Sequence, residues 1–250
     1  MVHAIERLRS VARARGAGPS LLVREAAEAL VGLDPGAVVP DPASAGHTAP
    51  EPGAEALRSG EAIRVDPTPQ VLGSVLPDDI TVVVLGWPEQ VSEALRRRGD
   101  LEVLVADCAG VGLSLARHLR NVGVEADLVP EAGLGAAVGE ADLVLLEATA
   151  VGPDGFLAGA GSRAAAAVAR SAGIPVWVTA GVGRVLPARL WEALLARLDQ
   201  TPEEPWHCPE EAVSLALVDR VARPDGLLSA GQAPGHGDCS TVPELLRPIG

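Results

Sequence analysis

Apolar and polar positions alternate in two rhythms along this chain. Over Ile80–Gly86, Leu101–Cys108, Val124–Val129, Ala141–Ala148 and Ile174–Thr179 the apolar residues run almost unbroken, the pattern of strands buried on both faces of a parallel sheet. Between these runs, Pro88–Arg98, Gly112–Val122, a stretch around Leu134–Val138, Ser162–Ala172 and Ala188–Leu198 repeat apolar residues at helical spacing. Pro88 falls in a first turn and Gly173 just past a last one, where each residue is best tolerated. Strand and helix alternating at this period predict an α/β fold, a doubly wound, mainly parallel sheet with right-handed crossovers and helices on both faces.

The flanks follow other rules. Residues 1–33 carry helical spacing in Ile5, Leu8 and Val11 and again in Leu21, Leu22, Ala26, Ala29 and Leu30, with a break at Arg15-Gly16-Ala17-Gly18-Pro19, and predict a short N-terminal helical arm. Residues 34–75 open with a stretch crowded with proline, glycine, alanine and acid, a linker too poor in large apolar side chains to form a core of its own. The Rossmann-like domain is expected over 76–230, with Val213–Leu217 a short apolar piece and Arg223-Pro224-Asp225-Gly226 a turn. Residues 231–250 read as a loosely ordered tail.

Within the alternation, 141–182 form a complete strand, loop, helix and strand with Gly159-Ala160-Gly161-Ser162-Arg163 at the start of the helix. Unpaired backbone N–H groups and the positive end of the helix dipole favour an anion there; glycines allow it to approach, and Ser162 and Arg163 add a hydroxyl and a guanidinium. The chemistry suggested is phosphate binding. An ordinary turn with Ser162 as N-cap fits the same five residues. In such sheets ligands lie at the carboxyl ends of the strands, which brings Gly86-Trp87, Asp107–Gly110, Glu147-Ala148-Thr149 and Ala180–Arg184 to one rim, with Arg184 as a second positive charge.

Composition narrows the partners. A net charge of −13 on 250 residues leaves no basic stripe to displace counterions from a nucleic acid. All 20 basic residues are arginine, so chemistry that depends on a lysine, a Schiff base or a phosphate-binding P-loop, is absent. Three widely spaced cysteines fit a reducing cytoplasm better than a disulfide framework. No apolar run reaches the length of a membrane span, and no signal-peptide core is present.

Three further constellations combine residues that carry chemistry. Asp107-Cys108-Ala109-Gly110-Val111-Gly112 follows a strand and opens a helix, as a dinucleotide fingerprint does, but Leu115 occupies the third glycine position. Cys108, at a helix start, is a candidate nucleophile if its pKa is lowered, with His118 as the nearest histidine. His207, Cys208, His236 and Cys239 are soft ligands at spacings that match no zinc pattern, and no cofactor or metal is expected.

With the sheet in place, residues 101–182 resemble the family that unites the alpha, beta and delta subunits of translation initiation factor 2B with methylthioribose-1-phosphate isomerase and ribose-1,5-bisphosphate isomerase. The resemblance is one of succession: Ala106-Asp107-Cys108-Ala109-Gly110, Asn121-Val122-Gly123-Val124, Glu147-Ala148-Thr149, Asp154-Gly155, Gly159-Ala160-Gly161-Ser162, and Ser171-Ala172-Gly173-Ile174-Pro175-Val176-Trp177-Val178. Leu217-Val218-Asp219-Arg220-Val221 with Asp225-Gly226 is similar to the family's closing segment. The isomerases carry a cysteine and an aspartate as proton-transfer groups. Here the first strand ends Leu85-Gly86-Trp87 and the aspartate position holds Thr149, whose hydroxyl takes no proton at neutral pH.

The resemblance therefore implies a cytoplasmic homodimer that has lost isomerase chemistry and binds a phosphorylated small molecule, a protein partner, or both, in a regulatory role. The expected ligand residues are Gly159, Gly161, Ser162 and Arg163, with Glu147, Thr149 and Asp154 reading hydroxyls. Two alternatives remain open. One is a divergent sugar-phosphate isomerase that uses Cys108 and Glu147 or Asp107; the other is a dinucleotide-dependent oxidoreductase.

Overall fold

The computed structural model describes residues 65–198 and 204–237. The expected helical arm over 1–33, most of the linker and the last part of the tail, with Cys239, lie outside the described residues. Chain contacts divide the protein after Asp66, and the fold below belongs to the unit that begins at Pro67.

Strands β1 (Thr81–Leu85), β2 (Glu102–Ala106), β3 (Glu125–Val129), β4 (Leu143–Val151), β6 (Val176–Thr179), β8 (Arg220–Arg223) and β9 (Gly226–Ser229) lie in the order β3-β2-β1-β4-β6-β8-β9. All neighbours in that order are parallel except β8 and β9, which pair antiparallel from Arg220↔Ser229 to Arg223↔Gly226. The chain moves outward in one direction from β1 to β3 and in the other from β4, so the order reverses between β1 and β4. That reversal opens the crevice in which doubly wound sheets place ligands.

Helices α1 (Thr68–Val75), α2 (Glu89–Leu95) and α3 (Gly112–Asn121) cover one face, and α4 (Leu134–Glu140) and α5 (Ser162–Ala172) the other. The side chains divide by the two-residue period of a strand. Val82, Val84, Leu143 and Leu145 pack under α1–α3, whereas Val83, Val144 and Leu146 pack under α4 and α5. Burial on both faces is why these strands read as unbroken apolar runs. Helix α1 falls inside the span read as linker, where Thr68 and Leu72 are fully buried. Arg98 holds its end, donating to the carbonyls of Gly73, Leu76 and Pro77 at 2.9 Å each and pairing with Asp78 and Asp100.

One feature departs from the loop expected between Ala148 and Ser162. Strand β4 runs on to Val151, turns at Gly152-Pro153-Asp154 and returns as β5 (Gly155–Gly159), which pairs antiparallel with β4 and with β7 (Glu210–Ser214). Phe156 is fully buried on one side of this extension, and Trp191 of α6 (Ala188–Leu198) packs with Ala150 and Leu157 on the other. Five residues with glycine at both ends carry too little alternation to announce a strand; the partners on β4 and β7 supply its hydrogen bonds.

Candidate functional site

Three helices begin at the carboxyl edge of the sheet, and at each beginning a carboxylate of this chain accepts backbone N–H groups. Glu147 Oε2 accepts from Gln90 at 2.8 Å and Val91 at 3.3 Å, the start of α2. Asp107 Oδ1 accepts from Gly112 at 2.9 Å, the start of α3. Glu211 Oε1 accepts from Gly161 at 2.8 Å and Arg163 at 3.0 Å, the start of α5. First-turn N–H groups have no partner inside their helix and sit at its positive end, so a carboxylate there satisfies donors and opposes the dipole together.

Glu147 stands at the crevice between β1 and β4. Its second oxygen pairs with Arg184 Nη1 at 2.9 Å, and the same nitrogen donates to the Ala148 carbonyl at 2.6 Å. The two side chains are 9% and 13% exposed, so the pair is almost removed from water. Arg184, expected as a charge for a ligand at this rim, is spent on the carboxylate that was expected to act as a base.

The glycine turn before α5 is filled from within. Gly161 takes the N-cap position with φ +95°, a backbone that glycine adopts without strain. Ser162 is therefore the first helical residue and not the cap; it is 3% exposed, and among the described residues its hydroxyl makes no hydrogen bond. Arg163 turns to β7, donating to the Ala212 carbonyl through Nε at 3.1 Å and Nη2 at 2.6 Å, with Nε 3.7 Å from Glu211. Acid and guanidinium thus clasp β7 and α5 in both directions. Gly159 ends β5 opposite Glu210. Thr149 and Asp154 are committed to the hairpin: Thr149 Oγ1 donates to the Leu157 carbonyl at 3.3 Å, and Asp154 Oδ1 accepts from Trp191 Nε1 at 3.1 Å.

Cys108 lies against that turn, its Sγ 3.1 Å from where a Cβ on Gly161 would stand. It is 6% exposed, and among the described residues its thiol has no hydrogen-bond partner. Burial raises its pKa, and the negative charges of Glu131, Asp107 and Glu211 push in the same direction. This is the reverse of the lowering a nucleophilic cysteine needs. His118, the nearest histidine in sequence, holds its ring 5.5 Å from that of Trp87.

The Asp107–Gly112 segment has one property of a dinucleotide turn. A Cβ on Gly112 would lie 2.8 Å from the Asp107 Cα, so only glycine permits the close approach of strand and helix. The N–H that would face a pyrophosphate is held by Asp107 itself. Among the described residues no group of three or more His, Cys, Asp or Glu is placed to hold a metal, and no helix is long and apolar enough to cross a membrane. Sequence reasoning missed Glu211 and the α2 amides of Gln90 and Val91. No local signal marks Glu211, which lies fifty positions from Gly161 and meets it only through the pairing of β7 with β5.

A family model described as the initiation factor 2 subunit family matches residues 70–204, more than half of the 250-residue chain. Among solved structures the chain is similar to the translation initiation factor eIF-2B of Pyrococcus horikoshii OT3, at 15% identity and a TM-score of 0.71, covering 91% of this chain and 97% of that one. It is also similar to eIF2B beta from Chaetomium thermophilum, at 18% identity and a TM-score of 0.56, covering 73% of this chain and 58% of that one. A third likeness is to the tetrameric eIF2B-beta2-delta2 complex from C. thermophilum, at 18% identity and a TM-score of 0.59, covering 73% of this chain and 62% of the matched chain. At these identities the solved structures speak for the fold. No curated protein matches the chain.

Proposed function

The chain belongs to the initiation factor 2 subunit family, and from that premise we propose that it is a non-catalytic, regulatory member that acts in the cytoplasm by associating with protein, as a homodimer or with a partner chain. One observation carries this reading. The acid at the crevice, Glu147, is consumed by two backbone amides and Arg184, and so is the guanidinium that would complement a substrate. A proton-transfer site needs a carboxylate or thiol free to exchange a proton with substrate. Thr149, in the aspartate position, bonds to Leu157, and Cys108 is buried as the neutral thiol. Association is supported by the tetrameric assembly of a structural neighbour.

The test is a turnover assay of the full chain on methylthioribose 1-phosphate and ribose 1,5-bisphosphate, beside light scattering on the eluting protein. The reading expects no ketose product and a mass of twice 25.5 kDa or larger. Product formation that Cys108→Ser abolishes would overturn it in favour of the isomerase.

A second reading is favoured by Glu211. Its carboxylate is held by two amides of the turn before α5, which supports Gly159, Gly161, Ser162 and Arg163 as the cradle of a phosphorylated effector, with Thr149 and Asp154 at its margin. Saturable stabilisation by a sugar phosphate, lost in Arg163→Ala, is the expected sign, because a ligand of the native state raises Tm by mass action.

A further inference from the structure

We propose that Thr179 is a second seat for the Glu147 carboxylate: its hydroxyl can take the oxygen that Arg184 now holds, so the guanidinium can turn out to the rim without leaving a buried acid half bonded. The two seats exist whether or not the chain associates with protein.

An orphaned hydroxyl carries this inference. Thr179, the last residue of β6, is fully buried, and among the described residues its Oγ1 has no hydrogen-bond partner. Buried hydroxyls are nearly always paired, and one left unpaired costs the fold its desolvation. Valine would fill the same space without that cost, so the hydroxyl is accounted for by a partner that it meets in another arrangement of the crevice.

Its position says which partner. Strands β4 and β6 run parallel with Glu147 opposite Thr179. Two residues earlier on each strand, Leu145 and Trp177 pack on the same side of the sheet, under α1–α3. By the two-residue period of a strand, Glu147 and Thr179 share that side as well. Neighbouring strands lie about 4.8 Å apart, a gap that a glutamate side chain crosses by rotating about its own bonds.

The other contacts allow one oxygen to move while its neighbour stays. Glu147 Oε2 is fixed by the Gln90 and Val91 amides, whereas among the described residues Oε1 is bonded to Arg184 only. Arg184 reaches Oε1 and the Ala148 carbonyl through the same Nη1. Its backbone is held separately, the N–H by the Gly181 carbonyl at 3.2 Å and the carbonyl by the Val151 N–H at 2.7 Å. The guanidinium can therefore leave while the loop after β6 keeps its place. In the second arrangement Oε1 accepts from Thr179, and the start of α2 remains capped by Oε2.

The experiment measures the unfolding constant of the full chain by chemical denaturation in four proteins: wild type, Thr179→Val, Arg184→Met and the double variant. With Arg184 present the hydroxyl has no partner, so Thr179→Val should leave the constant unchanged or lower it. With Arg184 replaced, Glu147 takes the hydroxyl, and the same substitution should raise the constant about tenfold or more, the effect of losing a hydrogen bond to a charged group. Hydrogen exchange at Gln90 and Val91 gives a second readout: protection should persist in Arg184→Met and fall when Thr179→Val is added. Arg184→Ala takes the place of Arg184→Met if the longer side chain does not fit the crevice. An effect of Thr179→Val that is equal in both backgrounds, or confined to the wild type, would overturn the second seat.

Discussion

Removing the Glu147 carboxylate is expected to be the most damaging single polar change in the described fold. Glu147→Ala leaves Arg184 charged and nearly buried, and leaves the Gln90 and Val91 amides without their acceptor. Breaking a buried pair by deleting one partner costs about 3–5 kcal/mol. For a domain of this size each kcal/mol moves Tm by about 2–4 °C, so the melting temperature should fall by roughly 6–20 °C. Glu147→Gln retains an acceptor for the amides and loses the ionic partner, which places it near the lower end of that range, about 3 kcal/mol or less. Two assays read the effect: thermal denaturation followed by circular dichroism, and hydrogen exchange at Gln90 and Val91, which should accelerate more than exchange in the middle of β1. A double-mutant cycle with Arg184→Met isolates the pair and should give a coupling of about 0.5–3 kcal/mol. The reasoning fails if Glu147→Ala lowers Tm by less than about 2 °C, or if the two substitutions are additive.

Other parts of the structure give independent tests. The buried Cys108 thiol, with its raised pKa, should resist iodoacetamide in the folded protein while the half-buried Cys208 reacts, a difference that mass spectrometry reads and that denaturant should erase. Because the folded-state pKa of Cys108 is raised, its contribution to stability is fully present below the free-thiol value of about 8.5 and is lost as pH rises through the folded value; Cys108→Ala should flatten the alkaline fall in Tm. The acid limb has the opposite sign: the Arg98 guanidinium bonded to Asp100, and Arg96 bonded to Glu93, hold those carboxyls below their ordinary values. That stability is present above the unfolded carboxyl values, about 4, and lost as pH falls through the folded ones, so Tm measured from pH 6 down to pH 2 should decline less steeply in Arg98→Met. Trp191→Ala removes an almost fully buried ring from Ala150 and Leu157 and the donor to Asp154, a loss of about 3–5 kcal/mol in chemical denaturation. Trp191→Phe, which keeps most of the packing, should cost less than half of that.

What the sequence determined by itself is the layered α/β frame. Strands buried on two faces must be apolar at nearly every position, as Val82–Val84 and Leu143–Leu146 are, and helices covering them must be apolar on one side; both patterns are local and survive without knowledge of any partner. Glycine turns were legible for the same reason, since the close approach at Gly112 and the left-handed backbone at Gly161 are demands made within a few residues, although the cap expected at Ser162 falls one residue earlier, at Gly161. The turn before α5, and Gly161, Ser162 and Arg163 within it, could therefore be located from the sequence.

Tertiary structure decided what fills that turn and what occupies the crevice. Glu147 and Arg184 stand 37 positions apart, Glu211 and Gly161 fifty, and in neither case does residue type or spacing say which charge will reach which amide. The return of the chain as β5 was hidden as well, because a five-residue strand draws its stability from β4 and β7 and not from its own alternation. Charged groups at strand ends are satisfied by whatever the sheet order brings alongside, through Coulomb attraction and hydrogen bonds that act in space without regard to sequence separation. A sequence can thus announce that a helix start is ready for an anion, while only the packed chain decides that the anion is its own.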